Sequence, residues 1–138
     1  MEEVKRISKQ VIVVRKDLNM RKGKMVAQGS HASMKSLLDN GSFAPNEGGS
    51  DEFSLDMPRD SALSDWLFGK FTKICVSVNS ESELLEVYNK AKEKGLMCSL
   101  ITDAGLTEFS GVPTLTCCCV GPCWSDEVDE ITGKLSLL

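Results

Sequence analysis

The sequence is short of the residues on which several common functions depend. It holds one histidine, His31, so no second imidazole can share a proton or a metal ion with it. No apolar run exceeds four residues, as at Val11–Val14, where a membrane span needs about 20. The opening Met1-Glu2-Glu3 is acidic where a signal peptide is basic, which predicts a protein kept in the cytoplasm. There is no surplus of positive charge. The net charge of −4 argues against general nucleic-acid binding. The G-x-x-x-x-G-K-[ST] spacing of a Walker loop is missing, and so is any internal repeat. What remains is ordinary globular composition, 41% apolar and 26% charged, in 138 residues, enough for one domain.

The charge that is present is unevenly placed. Residues 1–24 carry +5 and the rest carries −9. A basic segment on an acidic body can offer one phosphate-facing patch while repelling polyanions elsewhere. Six cysteines are present, but Cys117, Cys118 and Cys119 are consecutive and must alternate in direction along a strand. They cannot face one metal, their spacing is not that of a zinc site, and they read as small hydrophobes in a central strand.

The pattern of elements is legible. Residues 9–16 form a short β-branched run between charges, a buried strand. A helix follows over about 22–39, with Ala27, Met34, Leu37 and Leu38 on one apolar face, Lys24, Gln28 and Lys35 on the adjoining stripe, and His31 at the border. Residues 41–60 are Gly-, Ser- and acid-rich without period, a long loop. Ser61 caps a short helix to Phe68, residues 71–78 give a second strand, and Ser80 or Ser82 caps a helix over 81–94. Residues 96–102 form a third strand and 113–120 a fourth, broken by Gly121-Pro122. Ser125 caps a last helix. Alternating strands and helices predict an α/β domain spanning 1–138, a three-layer α/β/α arrangement around a four-stranded mixed sheet. The short link between the third and fourth strands requires one strand to run antiparallel to the rest. Ligands collect at the carboxyl ends of the parallel strands, here the 16–24 and 102–108 turns.

Three groupings of polar residues lie there. Lys22-Gly23-Lys24 opens the first helix, where a glycine turn and two ammonium groups suit an anion. Lys24, Gln28 and His31 follow at i, i+4 and i+7. Asp103 stands two residues before Gly105, either capping its own turn or serving as a base or its orienter.

Together these residues carry a resemblance. Residues 11–32 (VIVVRKDLNMRKGKMVAQGSHA) are similar to the opening of the archaeal and eukaryotic type of peptidyl-tRNA hydrolase, with its R-x-D-L-x-M, G-K-G-K and A-Q-x-x-H-A segments. Asp103-Ala104-Gly105-Leu106-Thr107 resembles the family's D-A-G-x-T. Thr114-Leu115-Thr116 and Val120-Gly121-Pro122 resemble its T-x-T and I-G-P strand, and Ile131-Thr132-Gly133-Lys134-Leu135 its V-T-G-x-L. Two departures stand out: Leu106 replaces a basic residue, and Glu108 replaces glutamine.

The resemblance implies that Lys24, His31, Asp103, Thr107 and Thr116 form the active site, with Lys22 and Gln28 on the same surface. It implies cleavage of the ester between a peptide and the 3′ end of tRNA, a translation-linked reaction using water and neither metal nor cofactor. The 15–24 basic segment would contact tRNA phosphates. The size of the domain also allows a two-fold dimer. Leu106, Glu108 and the acidic body leave two alternatives open: a non-catalytic tRNA- or protein-binding member of the same fold, and, further off, a thiol protein built on Cys117–Cys123.

Overall fold

The structure is a computed structural model and describes residues 5–138. Strand β1 (Ser8–Arg15) leads through a 3-10 turn (Lys16–Leu18) into helix α1 (Lys22–Leu38). Strands β2 (Ser42–Pro45) and β3 (Asp51–Ser54) follow, then helix α2 (Ala62–Leu67), strand β4 (Lys73–Val78) and helix α3 (Glu81–Glu93). Strands β5 (Cys98–Asp103) and β6 (Thr114–Trp124) and helix α4 (Ser125–Thr132) complete the chain.

The main sheet has the order β4-β1-β6-β5. β1 pairs parallel with β4, and β6 pairs antiparallel with both β1 and β5. β6 is therefore the one strand that runs against the others, as the short link before it requires. The period of two sorts the core into two layers. Val11, Val13, Val76, Cys118 and Val120 face α3 and α4, where Leu84, Val87, Ala91 and Val128 meet them. Ile12, Val14, Ile101, Cys117 and Cys119 face α1. The three consecutive cysteines are fully buried and split between the two layers, as their alternation predicts. Burial pushes the Cys117 thiol up to about 11 and the Cys123 thiol up to about 12, so neither is a thiolate near neutral pH.

Helix caps follow the sequence at two of three places. The amides of Ser64 and Glu83 donate to the hydroxyls of Ser61 and Ser80 at 3.2 and 3.1 Å. Ser125 is instead the first helical residue, with Trp124 in the cap position. Its amide donates at 2.7 Å to the carbonyl of Ile7, so the chain leading into β1 satisfies that end of α4.

Three further expectations are corrected. First, α1 does not bury Ala27, Met34, Leu37 and Leu38 against the sheet. Its buried residues are Gln28, Gly29, Ala32 and Ser36, while Val26 is 70% and Met34 58% exposed. The reason is that α1 docks by hydrogen bonds between small and polar groups. The Ser36 hydroxyl donates to the Gly121 carbonyl at 2.6 Å, and Ser99 donates to the Ala32 carbonyl at 2.7 Å. Fully buried Gln10 donates to the Ser33 carbonyl and accepts from its hydroxyl. Gly29 faces Ile12, where a Cβ would meet its side chain at 3.6 Å, an ordinary contact.

Second, residues 41–60 are not wholly irregular. β2 and β3 pair as an antiparallel hairpin, its turn held by the Asn46 side chain, which accepts from the amides of Gly48 and Ser50 at 3.0 Å.

Third, Gly121-Pro122 does not end the fourth strand. β6 runs on to Trp124 through a cis peptide bond at that step. Gly121 has φ +105°, and a Cβ there would sit 2.7 Å from the Lys9 carbonyl oxygen. Gly121→Ala is expected to lower stability by about 2–4 kcal/mol, read as a reduced urea midpoint with an unchanged m-value. A midpoint equal to wild type would show that the strand can relax around the methyl group.

Candidate active site

The carboxyl ends of β1, β4 and β5 lie at one end of the sheet, and two of them supply the polar cluster. β1 passes through its 3-10 turn into the first turn of α1, which carries Lys24. β5 ends on Asp103. The two side chains meet in a 2.8 Å ion pair, each only 14% exposed. The Lys24 ammonium donates a second bond, also 2.8 Å, to the Thr107 hydroxyl. It lies 5.8 Å from the centre of the Phe109 ring, a neighbour the sequence pattern does not single out.

Asp103 is held on every side. Its Oδ1 accepts from Lys24 and, at 3.2 Å, from Gln28 Nε2, and its Oδ2 accepts from the Gly105 amide at 2.8 Å. One oxygen of Asp103 thus caps the turn while the other meets Lys24. Gly105 has φ +82°, and a Cβ would run into the Val112 backbone, so the turn needs glycine. The Lys24 hydrogen bond, helped by the Gly105 and Gln28 donors, holds the Asp103 carboxyl below its ordinary value of 3.8 despite partial burial.

Gln28 and Thr116 stand behind the pair, both essentially buried. The Thr116 hydroxyl donates at 2.6 Å to Gln28 Oε1, which turns the Nε2 end of the amide toward Asp103. The resemblance puts Thr116 in the active-site set and Gln28 on the same substrate-facing surface. The structure sets both in a supporting layer. Thr116→Val leaves Gln28 Oε1 unpaired in the interior, at an expected cost of about 1–3 kcal/mol. It also frees the amide that orients Asp103, so kcat should fall with KM little changed. Equal kcat in wild type and variant would separate Gln28 from the chemistry.

The remaining expected site residues lie apart from this network. His31 is exposed and joins none of its hydrogen bonds. Lys22 opens on the opposite flank of α1, beside an apolar groove. In the basic segment 15–24, Arg15 is engaged with Asp17 at 2.7 Å and with the Leu115 carbonyl at 3.0 Å, while Lys16, Arg21 and Lys22 are exposed. Glu108 lies 3.9 Å from Arg21, and Leu106 is 87% exposed beside Thr107. Among the described residues no three His, Cys, Asp or Glu side chains are placed to share a metal ion.

Such a cluster combines an ammonium with one unused donor, a carboxylate fixed in position and a neighbouring hydroxyl. It can bind and polarise a carbonyl and orient a water against it. The fold is similar to that of a solved protein of unknown function from Agrobacterium tumefaciens strain C58, with a TM-score of 0.54 at 10% identity over 95% of this chain and 97% of that one. The sequence is 43% identical over 130 residues to a peptidyl-tRNA hydrolase of Methanocaldococcus jannaschii, covering 94% of this chain and 99% of that one. It is 41% identical to a peptidyl-tRNA hydrolase of Methanothermobacter thermautotrophicus, with the same coverage. A third such hydrolase, from Metallosphaera sedula, is 38% identical, again over 94% of this chain and 99% of that one. The family model described as "Peptidyl-tRNA hydrolase PTH2" matches residues 8–138, the whole sheet and every side chain of the Lys24–Asp103 network, and the chain belongs to that family.

Proposed function

We propose that this protein hydrolyses the ester bond between tRNA and a peptide or N-blocked amino acid, in the cytoplasm, using water and no metal or cofactor. The observation that carries the reading is the Lys24–Asp103 pair at the end of the sheet, with bonding capacity left over. An ammonium has three donors. Lys24 commits two, to Asp103 and Thr107, and the third is available to the ester carbonyl as negative charge builds on its oxygen. A carboxylate accepts about four hydrogen bonds, and Asp103 receives three from protein groups. The fourth position, on Oδ2, is where a water would be held.

In the reaction the water oxygen bonds to the carbonyl carbon and the bond to the ribose oxygen breaks. One proton of the water ends on that ribose oxygen. With its pKa held low, Asp103 is a weak base near neutral pH, so its main work is to orient the water and offset charge on it. Thr107, whose oxygen already accepts from Lys24, has its own O–H to offer the leaving oxygen. Gln28 and Thr116 are positioning residues. His31, exposed about two turns along α1 from Lys24, is assigned to the nucleotide end rather than to the ester.

The test is release of the N-acetyl-aminoacyl group from tRNA by the purified protein, followed as loss of acid-precipitable label. Release at a rate no greater than the spontaneous one overturns the proposal.

Lys16 and Arg21 are the cations best placed for phosphate: Arg15 is tied to Asp17 at 2.7 Å, Lys22 turns toward the groove, and Arg21, though 3.9 Å from Glu108, keeps its side chain 91% exposed. Replacing Lys16 and Arg21 together by alanine is expected to weaken tRNA binding and to lower the slope of log K against log salt by about 1–2. An unchanged slope would place the phosphate path elsewhere.

A further inference from the structure

The main sheet has two edges, and the described chain closes only one of them. β4 forms the first edge. The last residues lie against it: Val76 bridges Leu137, the Ser77 amide donates to the Ser136 carbonyl at 2.9 Å, and the Leu138 amide donates to the Cys75 carbonyl at 3.1 Å. β5 forms the second edge and pairs with β6 alone. Among the described residues, no backbone group outside the β6 ladder bonds to the backbone of residues 98–103.

An edge strand offers its outward N–H and C=O groups to any extended chain that arrives, and proteins blunt such edges with proline, lysine or a bulge. The β5 residues Cys98-Ser99-Leu100-Ile101-Thr102-Asp103 include neither proline nor lysine. The one irregularity lies on the inner strand. Ile101 pairs with Cys117 and Thr102 with Leu115, which leaves Thr116 as the extra residue on β6. On the face turned away from α1, the strand opens toward its carboxyl end: Cys98 is buried, Leu100 half-buried and Thr102 exposed. The strand then ends on Asp103, so the open edge runs directly into the Lys24–Asp103 pair.

We infer that the β5 edge binds the peptide of peptidyl-tRNA as an added strand, an inference that rests on the hydrolase reading above. The direction follows from the chemistry. The ester carbonyl is the carboxyl end of the peptide. With that carbonyl at Lys24 and Asp103 and the peptide lying back along β5, the two chains run parallel. β5 has six residues and spans about 20 Å, room for about five peptide residues. The ribose and the phosphates then lie beyond the end of the sheet, on the side of Thr107, Lys16 and Arg21. Main-chain hydrogen bonds supply affinity without reading side chains. Binding of this kind suits a substrate whose peptide sequence varies.

The test uses the wild-type protein and varies the substrate. One tRNA carries an N-acetyl-aminoacyl group, a second an N-acetylated pentapeptide. In a further set that pentapeptide bears one backbone N-methyl group, at each position in turn. The pentapeptide should raise kcat/KM about tenfold over the single residue, mostly through KM, and apolar and polar sequences should gain alike. In a parallel ladder every second residue turns its N–H to the neighbouring strand. N-methylation should therefore remove most of the gain at alternate positions and little of it between them. In the free protein, the β5 amides not bonded to β6 should exchange with deuterium faster than those of β1. Three outcomes would overturn the inference and leave the hydrolase reading standing: no gain from the longer peptide, a gain that survives methylation at every position, or losses without alternation. Protection of the outward β5 amides in the free protein would also overturn it, since a second copy would then already cover that edge. Release of neither the single residue nor the pentapeptide would overturn both.

Discussion

Asp103→Asn is expected to lower kcat for N-acetyl-aminoacyl-tRNA by about a thousandfold or more while the chain remains folded. Three donors converge on this side chain: the Lys24 ammonium, the Gln28 amide and the Gly105 amide. An asparagine oxygen can serve only part of that set, and its NH2 group must then face another donor. The fixed position for water on Oδ2 is lost with the charge that held it. The fold should survive, because the pair sits at the open end of the sheet rather than in either core layer. Loss of stability should be about 1–2 kcal/mol, smaller than for Gly121→Ala. Initial rates and a urea curve on the same preparation check both halves. A folded Asp103→Asn variant that turns over at the wild-type rate would remove Asp103 from the mechanism.

Lys24→Met should cost about a hundredfold to a thousandfold in kcat/KM, and it should also change how the protein responds to acid. In the wild type the Lys24 hydrogen bond is the largest influence holding the Asp103 carboxyl below 3.8. A carboxyl depressed in the folded state contributes stability that is complete above its unfolded value. That contribution fades as the pH falls through the lower folded value. Activity that needs the Asp103 carboxylate should therefore persist in the wild type to below about pH 4, as far as the fold itself survives. With methionine in place of Lys24 the main lowering influence is gone, and burial, which raises the value, is unopposed by it. Both the acid limb of kcat/KM and the acid unfolding transition should move to higher pH. A pH–rate profile and a circular dichroism titration of the two proteins would show this. Coincident limbs would mean that Lys24 does not govern the ionisation of Asp103.

Much of this molecule can be read from its residues because the relevant rules are local. Ser61 caps its helix, three adjacent cysteines alternate between layers, and a strand of opposite sense follows a short link. Each needs only a few neighbours in sequence. The pairing of Lys24 with Asp103 is readable only through the recurring motifs, since 79 positions separate them. The features that escape depend on distant partners. The inward face of α1 is decided by Gln10, Ser99 and the Gly121 carbonyl, none of them on the helix, so the helix's own hydrophobic pattern points the wrong way. The cap of α4 is replaced by the Ile7 carbonyl at the other end of the chain. Lys22 escapes for a local reason instead: two positions from Lys24 on the same helix, it points about 200° away from it.

The manner in which α1 is fixed has a consequence for precision. Apolar side chains in a smooth interface lose little when a helix slides by a fraction of a turn. Directional bonds at 2.6–2.7 Å do not tolerate it. A slip of one residue along the axis would carry Lys24 about 1.5 Å and rotate it by about 100°, out of reach of Asp103. The polar underside of α1 thus works as an index, like the pins that hold a gear to its shaft. It gives up the broad attraction of an oily seam and gains a single permitted register, the one in which an ammonium from the first strand-to-helix turn meets a carboxylate from the far edge of the sheet.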